Sequence, residues 1–179
     1  MHTQGSQPAE SSNFSLNSGM SSALSRAHIL GMCALLRQTV VYPWESVDQL
    51  LRFSTNAPIG DPLTPSTGAW HLRHIVEIFR QHAHVVLLGL GLLEHEISAI
   101  IPTPESPIPA DPTQARDALL HDIDAFIACL ERIPDATLSN TFTYGKPTNL
   151  PDMLACMTLH ITWHAAAVHY WCKWKRGDV

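Results

Sequence analysis

The sequence predicts an all-α protein, a four-helix bundle whose long helices are joined by proline-rich linkers. Three observations carry that expectation. Four segments repeat apolar residues at spacings of three and four, over lengths that suit helices and exceed ordinary strands. Prolines gather between the segments, at Pro58 and Pro62 and again at Pro102, Pro104, Pro107, Pro109 and Pro112, where they exclude helix and make extended connections. Weak alternation of the kind that marks a strand occurs only from Thr137 to Tyr144. A chain of 179 residues forms one domain with a real core. That domain is expected to occupy residues 22–179. Residues 1–21, rich in Ser, Asn, Gln and Gly, read as a disordered tail without the basic start and apolar middle of a signal peptide.

The first helix is expected from Ser21 or Ser22, either of which can cap it. Leu24, Ala27, Gly31, Leu35 and Gln38 mark one of its rows, with His28, Met32 and Leu36 beside it. Pro43 breaks the pattern, and Trp44 to Phe53 forms a short second piece that turns Val47, Leu50 and Leu51 inward. The next long helix starts near Pro65-Ser66-Thr67, with proline in its first turn. Leu72, Ile75, Val76, Phe79, Ala83, Val86 and Leu90 give it one apolar stripe; His71, His74, Ile78, His82 and Val85 give it another. A helix with two inward sides sits between two neighbours, and this one is expected to continue past Gly91 to about Ala99. Asp111-Pro112-Thr113-Gln114 opens the third long helix as a capping box with proline at its first position. Its stripe, Ala115, Leu119, Ile123, Phe126, Leu130 and Ile133, is the most regular in the chain, and Pro134 ends it. Thr137–Tyr144 is then a short extended segment or hairpin arm. Gly145-Lys146-Pro147 turns the chain into the last helix, from about Pro151 to Lys175, with Thr148 or Asn149 as cap.

Composition narrows the function. Eleven basic residues stand against sixteen acidic ones, a net of −5, and the only basic cluster is Lys173-Trp174-Lys175-Arg176. That cluster fits a helix C-terminus facing its own dipole, and a nucleic-acid surface needs a broader basic face. The longest apolar run, Val85–Leu93, is half the length that spans a bilayer. A soluble cytoplasmic protein is expected, with no membrane or nucleic-acid partner. Cys33, Cys129, Cys156 and Cys172 include no Cys-x-x-Cys pair, so they read as buried reduced thiols.

What remains is imidazole. His160 and His164 stand four residues apart in an uninterrupted apolar helix, which stacks them on one face near enough to share one ion. They share their stripe with Met153, Cys156, Met157, Ala167, Val168 and Trp171; His169 points away with Thr158, Thr162, Lys173 and Arg176. Inward imidazoles need satisfied nitrogens, either from hydrogen bonds or from a metal. Two ligands rarely suffice, and a third must come from another helix: His71, His74, His82 and His84 are the candidates. A His-Glu-x-x-His zinc motif fails because Ile161 stands in place of the glutamate. A ferritin-like di-iron site fails because no glutamate has a histidine three residues later.

The stretch Ser66-Thr67-Gly68-Ala69-Trp70-His71-Leu72-Arg73-His74-Ile75-Val76-Glu77 resembles the second-helix motif of DinB-like (YfiT-like) proteins, and His160-x-x-x-His164 resembles the paired histidines of that family's last helix. Length and motif order agree, so the resemblance covers about Ser22 to Trp174. It implies a four-helix bundle with a divalent metal held by three histidines, here His74, His160 and His164, with His71 the competitor to His74. The ion implied is zinc or nickel ahead of iron or manganese. One departure is Ala165-Ala166-Ala167, where many members place a further histidine or a Gly-Gln pair after the last ligand. The family includes transferases and isomerases that use low-molecular-weight thiols, damage-induced proteins and members without known activity.

The function expected is thus metal-dependent chemistry on a small molecule, thiol transfer first and hydrolysis second. Three neutral ligands leave an ion electrophilic enough to acidify a thiol or water. Glu77, a turn after His74, is either an acceptor behind that ligand or a solvated surface carboxylate. Trp70, Trp163 and Trp171 are expected in the core rather than as pocket walls. The rival is a non-catalytic bundle, with or without metal, that forms a homodimer or binds a partner.

Overall fold

The computed structural model describes residues 18–42, 46–54 and 59–177. Residues 1–17 of the expected tail, and Pro43 and Trp44, lie outside them. Four long helices make the frame: α1 (Ser18–Val41), α3 (Gly68–Gly89), α5 (Pro112–Leu130) and α7 (Leu150–Arg176). Between them come α2 (Val47–Ser54), α4 (Glu94–Ser98), α6 (Asp135–Leu138) and an antiparallel hairpin of β1 (Thr141–Tyr144) and β2 (Lys146–Asn149). The protein is an all-α bundle with one small hairpin.

Packing runs in a ring. α3 lies against α7 and α5, and α1 closes the circuit on the other side of both. α3 and α7, which carry the histidines of interest, are therefore direct neighbours. The expected stripe of α3 is buried throughout, as is that of α5, and Phe79 meets Phe126 edge to face at 5.9 Å between ring centroids. Three ion pairs fasten α5 to its neighbours, one of them Arg116 with Asp48 of α2 at 2.6 Å. Arg37 of α1 holds Asp124 at 2.7 Å at the surface, and Arg80 of α3 holds Asp122 at 2.7 Å where both are buried. Arg80 also donates to the Ser106 carbonyl, which pins the proline-rich linker to the bundle.

Several boundaries differ from expectation, each for a local reason. α1 buries Ile29, Cys33, Leu36 and Val40; the row through Ala27, Gly31 and Leu35 faces solvent, with Leu35 58% exposed. The helix is apolar on both sides, so periodicity alone does not choose its face. α3 begins at Gly68 with Thr67 as cap, its hydroxyl accepting from the Trp70 amide, and Pro65 falls in the preceding turn rather than the first helical one. α3 stops at Gly89 and does not reach Ala99. Gly91 takes a left-handed φ of 93°, so Leu92 N–H reaches the Leu87 carbonyl and Gly91 N–H the Leu88 carbonyl, a Schellman stop. α5 ends at Leu130, before Pro134, and Asp135–Leu138 forms a helical turn the sequence reading lacked. Lys146 and Pro147, expected in a turn, belong to β2; Gly145 alone makes the tip, at φ 69°.

Asp111 caps α5 and Asn149 caps α7, accepting from Gln114 N–H and Asp152 N–H at 2.9 Å each. Lys173, Lys175 and Arg176 fill the last turn of α7, with Lys175 over the Trp171 and Trp174 rings. Of α2, Val47 is buried and Leu51 half-buried; the Leu50 side chain lies outside what is described.

Candidate metal centre

His71 and His74 stand one turn apart at the start of α3, and His160 and His164 one turn apart midway along α7. Because the two helices are packed neighbours, these four rings meet. His74, His160 and His164 each offer a nitrogen, and the three atoms lie within 4.8 Å of one another. Ring centroids are 4.7 Å apart for His160–His164, 4.7 Å for His74–His164 and 5.6 Å for His74–His160. His164 is buried, at 4% exposure, while His74 and His160 are half-buried and border open space.

Electrostatics keep the cluster neutral. Burial lowers the pKa of all three rings. His164 is pushed down to about 3, first by burial and then by repulsion from His160, His74 and His71. For His74 burial is opposed by the Glu77 carboxylate; for His160 it is reinforced by His74. Neutral imidazoles present lone pairs, and clustered lone pairs are what a cation needs. His160 Nε2 is buried without a hydrogen-bond partner. An orphaned nitrogen beside two other imidazole nitrogens fits a metal site. Nitrogens around a tetrahedral ion bonded at about 2.1 Å stand about 3.4 Å apart, inside the 4.8 Å that spans these three atoms, so the three rings would suit such an ion.

The remaining histidines sort out clearly. His71 is buried, and its Nδ1 lies 2.7 Å from Nδ1 of His164. His82, two turns beyond His74, lies with its ring 6.1 Å from that of His160; its Nε2 meets the Tyr144 hydroxyl of the hairpin at 2.9 Å, and its Nδ1 is buried without a partner. Burial, with repulsion from His160 behind it, pushes His82 down to about 4. His84 is fastened to the Ile101 carbonyl and the Glu94 carboxylate, each at 3.3 Å, and serves the α3–α4 connection.

Aromatic rings frame the cluster. Trp70 stacks on His74 at 4.9 Å with only 7° between planes, and Trp163 presents its edge to His164 at 4.6 Å. Trp163 is not a core residue, since it is 64% exposed. It separates two open grooves. One, about 580 Å³, is lined by Asp152, Ala155, Cys156, Leu159, His160 and Trp163. The other, about 510 Å³, runs along Tyr170, Trp171 and Trp174. Trp70 and Trp171 are half-buried rather than deep in the core. Cys156 is exposed, against the expectation of buried thiols, whereas Cys33, Cys129 and Cys172 are buried and form no disulfide among the described residues. Both surprises have one cause. α7 is apolar on its outer side too, and no spacing rule separates that side from the inner one. Glu77 is exposed and lines a cleft of about 160 Å³ with Pro62, Leu63, Trp70, Arg73 and His74.

Fold and site together define a helical-bundle protein with a three-histidine group able to hold a metal ion. Residues 42–168 match the model of the DinB superfamily, and the chain belongs to that superfamily. No curated protein and no solved structure matches it. Among the described residues no helix is long and apolar enough to cross a membrane.

Proposed function

We propose that this protein is a metal-dependent enzyme in which His74, His160 and His164 hold a divalent ion, and that it transfers a small thiol to an electrophilic carbon. One observation carries the reading. Three neutral imidazoles from two helices converge beside open grooves, with no carboxylate or thiolate in the group. All-nitrogen ligation favours zinc or nickel ahead of iron or manganese. A divalent ion held by neutral ligands supplies Lewis acidity, lowering the pKa of a thiol or water next to it.

The chain's own contributions are positional. Trp70 fixes the plane of His74 by stacking on it. Leu159 and Trp163 give the groove at His160 an apolar wall for the carbon part of a substrate. Arg73 and Glu77, on the rim of the cleft at His74, offer opposite charges to its polar groups. In the transfer itself the sulfur forms a bond to carbon, the thiol proton passes to solvent, and the leaving group departs with the bonding electrons.

The test begins with metal analysis of protein purified without a tag, where about one ion per chain is expected. Cobalt-substituted protein should then change its visible spectrum when a thiol is added. It should also conjugate that thiol to an alkyl halide faster than free cobalt does, and His160→Ala should abolish the gain. No rate gain across a panel of thiols and electrophiles would sink the transferase reading; faster ester or amide hydrolysis would replace it with a hydrolase.

A second reading is favoured by the exposed Leu159, Trp163, Tyr170 and Trp174 along α7. Such a stripe suits a non-catalytic bundle that pairs with a second copy. Sedimentation would show a dimer broken by Trp163→Glu, with metal present or absent and no activity in either state.

A further inference from the structure

The contact between His71 and His164 sets a constraint that the three-histidine group does not state by itself. Both rings are buried, at 9% and 4% exposure, and their Nδ1 atoms are 2.7 Å apart. That distance is a hydrogen bond. It is too short for two nitrogens bonded to one ion, which stand about 3.0 Å apart or more in tetrahedral or octahedral sites. Through these two atoms His71 and His164 are hydrogen-bond partners, not joint ligands.

A neutral imidazole carries one hydrogen, so a bond between two Nδ1 atoms has two forms. If His71 donates, His164 accepts at Nδ1 and must keep its own hydrogen on Nε2, leaving no lone pair for a cation. If His164 donates, its Nε2 lone pair is free and the hydrogen of His71 sits on Nε2. Only the second form is compatible with His164 as a ligand.

We infer that His71 is the positioning residue of the metal centre: its Nδ1 accepts the hydrogen on His164 Nδ1 and so fixes the tautomer and rotation that present His164 Nε2 to the ion. The inference rests on the three-histidine metal reading above. Metal-bound histidines almost always donate their second ring N–H to a carboxylate, a carbonyl or water. Here an imidazole takes that place. A neutral acceptor orients the ligand without adding negative charge, so the ion keeps its full electrophilicity. The architecture supports the role. His71 precedes His74 by three residues, so one face of α3 supplies both a ligand and the partner of a ligand from α7. Trp70 and Trp163 meet the His71 ring edge-on, at 5.1 Å and 6.1 Å, and limit its rotation.

The experiment compares the parent with His71→Phe, which removes the acceptor, and His71→Asn, whose amide oxygen falls near the position of Nδ1. Cobalt affinity is measured by competition with a chromophoric chelator, and folding by urea midpoint. His71→Phe should bind about 10–100-fold more weakly, and His71→Asn should recover most of the loss. Nitrogen-15 spectra of the metal-free parent should show the hydrogen of His164 on Nδ1, coupled across the bond to His71 Nδ1. Parent-like affinity in His71→Phe, equal loss in both variants, or a His164 hydrogen on Nε2 would overturn the inference. So would a cobalt spectrum showing that His71→Phe removes a ligand, because His71 would then bind the ion itself. A parent that binds no cobalt would sink the metal reading, a separate result. The nitrogen-15 measurement decides the case even if a variant fails to fold.

Discussion

Acid should unfold the metal-stripped protein through its buried histidines. In the unfolded chain an imidazole titrates near its ordinary value of about 6.5. In the fold His164 titrates at about 3 and His82 at about 4. As pH falls through 6.5 the unfolded chain takes up protons that the folded chain refuses, so stability is lost downward from there and levels off only near the folded values. Each group contributes a slope of about 1.4 kcal/mol per pH unit in that window. At about pH 5 the loss is about 2 kcal/mol per histidine relative to neutral pH, or about 4 kcal/mol for the two. A small domain has about 5–15 kcal/mol in total, so the effect is a large fraction of its stability. His71, His74 and His160 are lowered too and push the same way. Urea unfolding in the presence of a chelator, from about pH 7.5 to about pH 5, measures the slope. His82→Phe should remove one proton's worth of it while leaving His74, His160 and His164 in place. A flat or rising stability toward acid would refute the reasoning, as would a His82→Phe slope equal to that of the parent.

Three further outcomes are expected. His164→Ala should lose most bound metal and His169→Ala should keep it, because five residues turn a helix position by about 140°; equal loss on metal analysis would contradict the placement. Arg80→Met alone should cost about 3–5 kcal/mol by leaving the buried Asp122 charge without its partner. Adding Asp122→Leu should restore most of that in the same urea titration, and an additive double variant would refute the pairing. Gly89→Ala should lower the melting temperature, at a cost of about 1–3 kcal/mol, because its new carbon clashes with Phe142 Cβ and pries the hairpin off α3. An unchanged melting temperature would mean the hairpin does not dock there.

How much of this was legible depended on whether a residue's neighbour was near in sequence. The stripes of α3 and α5 were readable because each has polar residues opposite its apolar ones. Asp111 was readable as a cap, and Asn149 as one of two candidates beside Thr148, because capping is a matter of three residues. The paired geometry of His160 and His164 followed from spacing alone, and His74 was singled out by the resemblance. What stayed hidden was long-range. No spacing rule shows that His71 reaches His164 across 93 positions, or that His82 meets Tyr144 across 62. The solvent-facing side of α7, with Trp163 and Cys156, was read as core because apolarity marks burial only where the opposite side is polar.

The histidine cluster is also where this fold conflicts with its own stability rules. Several buried polar groups elsewhere are paired, Arg80 with Asp122 and Ser106, His84 with Glu94 and Ile101, Thr67 with the opening turn of α3, and His82 Nδ1 and Arg116 Nε are exceptions. Between α3 and α7 the packing instead brings neutral imidazoles together and leaves His160 Nε2 with nothing to accept or donate. An unmade bond of that kind costs about 1–3 kcal/mol, and an apolar side chain at position 160 would avoid it. Local disfavour of this sort gathers at functional sites, where a ligand relieves it. A cation is the ligand that answers neutral nitrogen lone pairs clustered in one place. The contact at His71 then leaves His164 one nitrogen for that cation and turns the other toward α3.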